Sequence, residues 1–198
     1  MIKANGGEAI IVAADVTKAV QVQQLVAESQ KAFGKEINIL VNVAGGLVAR
    51  KLIEDMDEEF WDFVMNVNAK TVFLTTKYVS PVMPTGSAII NFASQAARDG
   101  GGFGASAYST GKAAVATFTR SMAKELGPKG IRVNAVNPGM IATTLNARCS
   151  SNSISHTIAS NGIRKRSRII TAIQKQLSSG SRNGSNSCRK IGRRCRIH

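Results

Sequence analysis

The chain predicts an α/β fold built on a parallel sheet. Short apolar runs rich in β-branched residues, at 9–13, 39–43, 89–93 and 131–136, alternate with longer stretches of helical period at 20–33, 58–79 and 108–126. Its 198 residues suffice for one domain plus a tail. No cysteine occurs before Cys149, and no apolar run reaches the roughly 18 residues that a membrane span needs. No charged start followed by an apolar run marks a signal peptide. These features point to a soluble intracellular protein, in the cytoplasm or an organellar matrix.

The elements follow in order. Ala9-Ile10-Ile11-Val12-Ala13 reads as a strand closed by Asp15-Val16-Thr17, and Asp15 by itself would be a helix N-cap before Val20-Gln21-Val22. A helix over 20–33 leads to Ile39-Leu40-Val41-Asn42-Val43, a strand that breaks into Ala44-Gly45-Gly46. A long helix over 58–79 carries Asn68 in its interior. Ile89-Ile90-Asn91-Phe92-Ala93-Ser94 is the next strand, and a helix over 108–126 follows it. Ile131-Arg132-Val133-Asn134-Ala135-Val136 closes the series ahead of Asn137-Pro138-Gly139.

Chemistry concentrates at Tyr108-Ser109-Thr110-Gly111-Lys112. At i,i+4 a tyrosine and a lysine share a helical face, one turn apart. An ammonium beside a phenol favours phenolate and draws the tyrosine towards use as a general acid or base. The hydroxyl of Ser94 can polarise a carbonyl in the same pocket. Singly, each feature has an ordinary explanation: Lys112 as a solvated charge, Asn68 as a polar residue within a helix, Gly45-Gly46 as a strand exit. The ordered set is far more specific. Gly102-Phe103-Gly104-Ala105-Ser106-Ala107 imitates a dinucleotide fingerprint. Yet seven residues part it from the end of the strand, whereas a phosphate turn follows its strand directly. It reads as a wall of the substrate pocket.

The ordered blocks, over roughly residues 1–146, resemble the short-chain dehydrogenase/reductase family, and within it the 3-oxoacyl-carrier-protein reductase-like members. The resemblance implies a Rossmann-like, doubly wound sheet and an NAD- or NADP-dependent exchange between a carbonyl and a secondary alcohol. By it Tyr108 donates the proton, Lys112 lowers its pKa and binds the nicotinamide ribose, Ser94 holds the carbonyl oxygen, and Asn68 supports a relay water. Asp15 and Val16 match positions that touch the adenine. Asn42, Ala44 and Gly45 match the Asn-Asn-Ala-Gly block, in which Val43 replaces the second asparagine, so weaker bracing of the sheet is expected. Pro138, Gly139, Ile141 and Thr143 match the segment around the carboxamide. The substrate would be a small ketone or an acyl thioester, and assembly a homo-oligomer, a tetramer in the family. Its contacts would be the two long helices, with Val115, Phe118 and Met122 on the second. No metal is implied.

Two departures stand out. The family's opening strand and glycine phosphate turn have no counterpart ahead of Asp15, nor has the residue that selects NAD or NADP. The expected domain, residues 1–147, is therefore an incomplete sheet lacking its first two strands and its last. Its first two remaining strands either pair directly or leave one edge bare. Poor binding of NAD(P)H is expected, with a catalytically inactive fragment as the alternative reading. The second departure is the tail. Residues 1–147 hold 14 Lys/Arg against 12 Asp/Glu, whereas 148–198 hold 12 Lys/Arg and no acid. So abrupt a change suggests a shifted reading frame or a mis-spliced end, and disorder. Its helical period over 164–176 is weak. A basic, acid-free segment binds nucleic acid nonspecifically through phosphates, which gives a third reading, a nucleic-acid-binding protein. Without aromatics the tail offers no base stacking. The spacing of Cys149, His156, Cys188 and Cys195 does not suit zinc.

Overall fold

A computed structural model describes residues 6–141 and 169–172. Four strands, β1 (Ile39–Asn42), β2 (Ala88–Phe92), β3 (Arg132–Val136) and β4 (Ile169–Ala172), form one sheet in the order β3-β2-β1-β4. Every pairing is parallel, with Leu40 opposite Ile89 and Ile89 opposite Val133. Helix α1 (Ala19–Phe33) precedes β1, and α2 (Glu58–Met65), α3 (Thr71–Val79), the single turn α4 (Ala96–Asp99) and α5 (Ser106–Leu126) fill the connections from β1 to β2 and from β2 to β3. The architecture is a Rossmann-like α/β sheet, as the alternation of runs predicts.

Local chemistry explains the boundaries. Val22, Val26 and Ser29 line the buried face of α1, three and four residues apart. Gly34, at φ +93°, ends the helix and donates its N–H to Gln30 O at 2.8 Å. Asp57 caps α2, accepting from Phe60 N at 2.7 Å, and Glu58 and Glu59 add negative charge at the positive end of the helix dipole. The predicted helix over 58–79 runs through, but residues Asn66–Lys70 form a π-helical turn between α2 and α3. Such turns widen a helix by one residue and re-aim a side chain.

One face of the sheet buries Leu40, Ile89 and Val133, which pack with Val26, Val79, Met83, Leu126 and Ile131. Asn42 and Asn91 lie further along the same face. The opposite face, with Ile39, Val41, Ala88, Ile90 and Phe92, is half-buried. Among the described residues no helix is long and apolar enough to cross a membrane.

Several expectations are corrected. Residues 9–13 form no strand: 7–15 have no regular structure, and Ile11 is 99 % exposed. Strand β4 occupies the edge of β1, so neither the direct pairing nor the bare edge expected from the sequence is present. Within 164–176, where the sequence offers only a weak helical period and disorder was expected, Ile169–Ala172 is extended in register with Ile39–Asn42. A ladder offered by β1 outweighs weak helical spacing, because β-branched residues suit it. Asp15 is no N-cap either. Lys18 holds that position without a side-chain cap, and Asp15 Oδ1 instead accepts from Thr17 N at 2.9 Å and Thr17 Oγ1 at 2.6 Å.

Candidate active site

The carboxyl ends of β1 and β2 open onto the π-helical turn and the first turns of α5. In open parallel sheets this is where ligands bind. The π turn buries Asn68 completely. Its amide donates to Val64 O at 2.9 Å and Gly46 O at 3.0 Å, and its Oδ1 accepts from Gly46 N at 3.0 Å. The side chain thus ties the helix to the strand exit.

Gly45 explains why the exit is glycine. At φ +130°, an added Cβ would stand 2.6 Å from Asn68 Oδ1 and 3.2 Å from Lys112 Nζ. Gly45 therefore marks a notch whose walls are a carboxamide and an ammonium. On the far side Gly111, inside α5, faces Asn68, where a Cβ would lie 3.1 Å from Asn68 Cβ. Asn68 is held between two glycines from different elements.

Lys112 is 4 % exposed and donates to Phe92 O at 2.7 Å. Burial pushes its ammonium down to about 8. Its Nζ lies 6.0 Å from the centre of the Tyr108 ring, so the i,i+4 pair does share a face. Ser94, just beyond β2, is buried, and its Oγ accepts from Ala96 N at 3.2 Å. Gln95 N donates to Pro138 O at 3.0 Å, and Gly139 comes so near Gln95 that a Cβ would meet Oε1 at 2.9 Å. The Pro138-Gly139 segment is thereby docked beside Ser94.

The structure gathers Gly45, Asn68 and Lys112 at the notch, with Tyr108 one turn from Lys112, and sets Ser94 beside Pro138 and Gly139. Val16 and Ala44 are core residues, packed with Val22 and Leu74. Asp15 lies on the segment leading to α1, and the Thr17 hydroxyl above all holds its carboxyl below the usual range. Ile141 ends the described segment, and Thr143 lies outside the described residues.

The bracing expected to weaken at Val43 runs instead through Asn42. Thr75 Oγ1 donates to Asn42 Oδ1 at 2.8 Å, Asn42 Nδ2 to Asn91 Oδ1 at 2.8 Å, and Asn91 Nδ2 to Thr119 Oγ1 at 2.9 Å. A buried polar chain crosses two strands and joins α3 to α5. Sequence reading missed this chain, and missed the backbone partners Gly46 and Phe92. A glycine inside the helical run 108–126 was the available sign of close approach at position 111.

The family model described as Enoyl-(Acyl carrier protein) reductase matches residues 1–175. The chain belongs to the short-chain dehydrogenase/reductase family. It is 44 % identical over 146 residues to a 3-oxoacyl-[acyl-carrier-protein] reductase of Synechocystis sp., covering 73 % of this chain and 58 % of that protein. Among solved structures it resembles the NADH-dependent reductase A1-R′ complexed with NAD, at 37 % identity and TM-score 0.67, over 70 % of this chain and 60 % of that one. A short-chain dehydrogenase from Burkholderia cenocepacia in complex with NADP gives 32 % and 0.70, over 75 % and 60 %. The chain spans somewhat over half the length of these relatives.

Proposed function

We propose that this short-chain dehydrogenase/reductase interconverts a carbonyl and a secondary alcohol with NAD or NADP. The observation that carries this is the buried Lys112 ammonium beside Tyr108, facing the Gly45 notch. Phe92 O takes one of its three N–H groups, and no carboxylate pairs with it among the described residues. A nicotinamide ribose fits that donor set, because its hydroxyl oxygens can accept the remaining N–H groups. The nicotinamide supplies or takes the hydride. In the reducing direction the Tyr108 hydroxyl gives its proton to the carbonyl oxygen, while the Ser94 hydroxyl donates a hydrogen bond to that oxygen and orients it. Lys112 stabilises the phenolate left on Tyr108, and Asn68 fixes the floor of the notch.

A 3-oxoacyl thioester is the favoured substrate, supported by the Synechocystis relative's name. Assays should span micromolar to millimolar cofactor. The test is oxidation of NADH or NADPH by the protein carrying this sequence, with 3-oxoacyl and 2-enoyl thioesters compared. Carbonyl-dependent turnover that falls about 10²–10⁴-fold in Tyr108→Phe supports the reading. A Tyr108→Phe protein at near-normal rate, or turnover of the enoyl substrate alone, overturns it.

A homo-oligomer through the outer faces of α2–α3 and α5 accompanies this reading, with Phe118 kept from the residues expected and Phe63 and Phe73 added. Val115 is buried with Val72 and Ala93, and Met122 packs against the separate core around Leu40 and Ile89, whereas Phe63 and Phe73 are exposed, and the Phe73 ring meets Phe118 edge-on at 6.5 Å. Light scattering of a Phe63→Lys, Phe73→Lys protein that remained oligomeric would rule out this face.

A further inference from the structure

Residues 46–51 link two parts of the site. At one end the Gly46 backbone is held on both sides by the Asn68 amide. At the other, Lys51 N donates to Gly104 O at 3.1 Å and Arg50 Nη1 to Phe103 O at 2.6 Å. Between them Val48 sits at φ +64°, a region that β-branched residues avoid, so the strap is fixed by its two ends.

The loop that receives Arg50 is shaped for it. A Cβ on Gly104 would lie 3.0 Å from Arg50 Cβ and 3.1 Å from Lys51 N, and one on Gly102 would lie 3.3 Å from Arg50 Nη1. Bare backbone at both positions lets the arginine lie along the loop. The Gly102-Phe103-Gly104 spacing, which imitates a phosphate turn, thus accommodates a side chain of the same molecule. The tip of the loop faces solvent, with Phe103 91 % exposed, while its base is held by Gly100 N donating to Ala96 O at 3.0 Å and Ala105 N to Gly102 O at 3.1 Å. It leads directly into α5, where Ala105 O accepts from Ser109 N at 2.8 Å and Tyr108 lies in the first turn. Among the described residues no carboxylate competes for the guanidinium.

We propose that Arg50 is a positioning residue that clamps the 100–104 loop to the strap and so sets the first turn of α5, with Tyr108 on it. Only the step from that turn to catalysis rests on the functional reading above. Hydrogen exchange on the full chain tests the clamp without any turnover, read at the amides of Lys51, Ala105 and Ser109. Arg50→Ala is expected to speed exchange there about five- to tenfold, from loss of one charge-assisted hydrogen bond, while Leu40 and Ile89 stay within about twofold. Arg50→Lys restores most of the protection, and Gly104→Ala reproduces the loss. Unchanged exchange in Arg50→Ala, or acceleration spread equally into β1 and β2, overturns the proposal. In the carbonyl assay kcat falls at least about fivefold with the cofactor KM unchanged, and an unaltered kcat overturns the positioning role. A wild-type chain without turnover sinks the functional reading, and exchange still decides the clamp.

Discussion

Gly45 and Asn68 approach so closely that a Cβ on the glycine would stand 2.6 Å from Asn68 Oδ1. Gly45→Ala therefore forces a shift in a carboxamide fixed by three hydrogen bonds, from a backbone at φ +130° that alanine disfavours. Destabilisation of about 2–4 kcal/mol is expected, seen as a lower urea midpoint. Gly111→Ala is the contrasting case. Its Cβ is crowded at 3.1 Å, but helix propensity returns about 1 kcal/mol, so the net change should be close to zero.

The chain from Thr75 through Asn42 and Asn91 to Thr119 predicts strong coupling. Asn91→Ala leaves both the Asn42 amide and the Thr119 hydroxyl without that partner, at a cost of about 2–4 kcal/mol. A cycle with Thr119→Val should show non-additivity of about 1 kcal/mol or more. Additive costs in urea unfolding would mean that the residues act separately.

Lys112 gives stability a pH dependence of known sign. Its folded value, about 8, lies below the ordinary 10.5, so between those values the unfolded chain binds more protons. Stability should therefore rise with pH across about 8–10.5, by about 3 kcal/mol in all, as the cost of burying the charge is relieved. Below pH 8 that cost is present in full. Lys112→Met should flatten this part of the curve in denaturant titrations at fixed pH, and an unchanged slope would place its origin elsewhere.

Truncation after residue 147 has two expected effects. Heparin retention drops, because 12 of the 26 Lys/Arg and none of the acids are removed. The cut also removes β4, so the edge of β1 is exposed and concentration-dependent association should appear in sedimentation. A truncated chain that stays monomeric would show that β1 does not need that partner.

Most of the frame was legible because its signals are local. The period of residues 20–33 gave α1 to within a residue, and Tyr108 and Lys112 share a face because helical geometry requires it. What escaped depends on distant partners. The run at 9–13 has the composition of a strand but has no ladder to join. Residues 169–172 become a strand because β1 offers them one. The roles of Gly46 and Phe92 belong to backbone atoms that every residue carries, so side-chain identity could not reveal them. The role of Arg50 depends on Gly102 and Gly104, some fifty residues further along the chain, and no local signal marks it.

Pairing of β4 with β1 also sets the timing of folding. Ile39 and its partner Ile169 are about 130 residues apart, a long loop to close, and such contacts form late. During synthesis at about 5–20 residues per second, β1 emerges about 6–26 s before its neighbour exists. Through that interval one side of β1 is open to any extended segment nearby, including the same strand of another nascent chain. The yield of properly paired protein should then depend on how far apart ribosomes travel on the message.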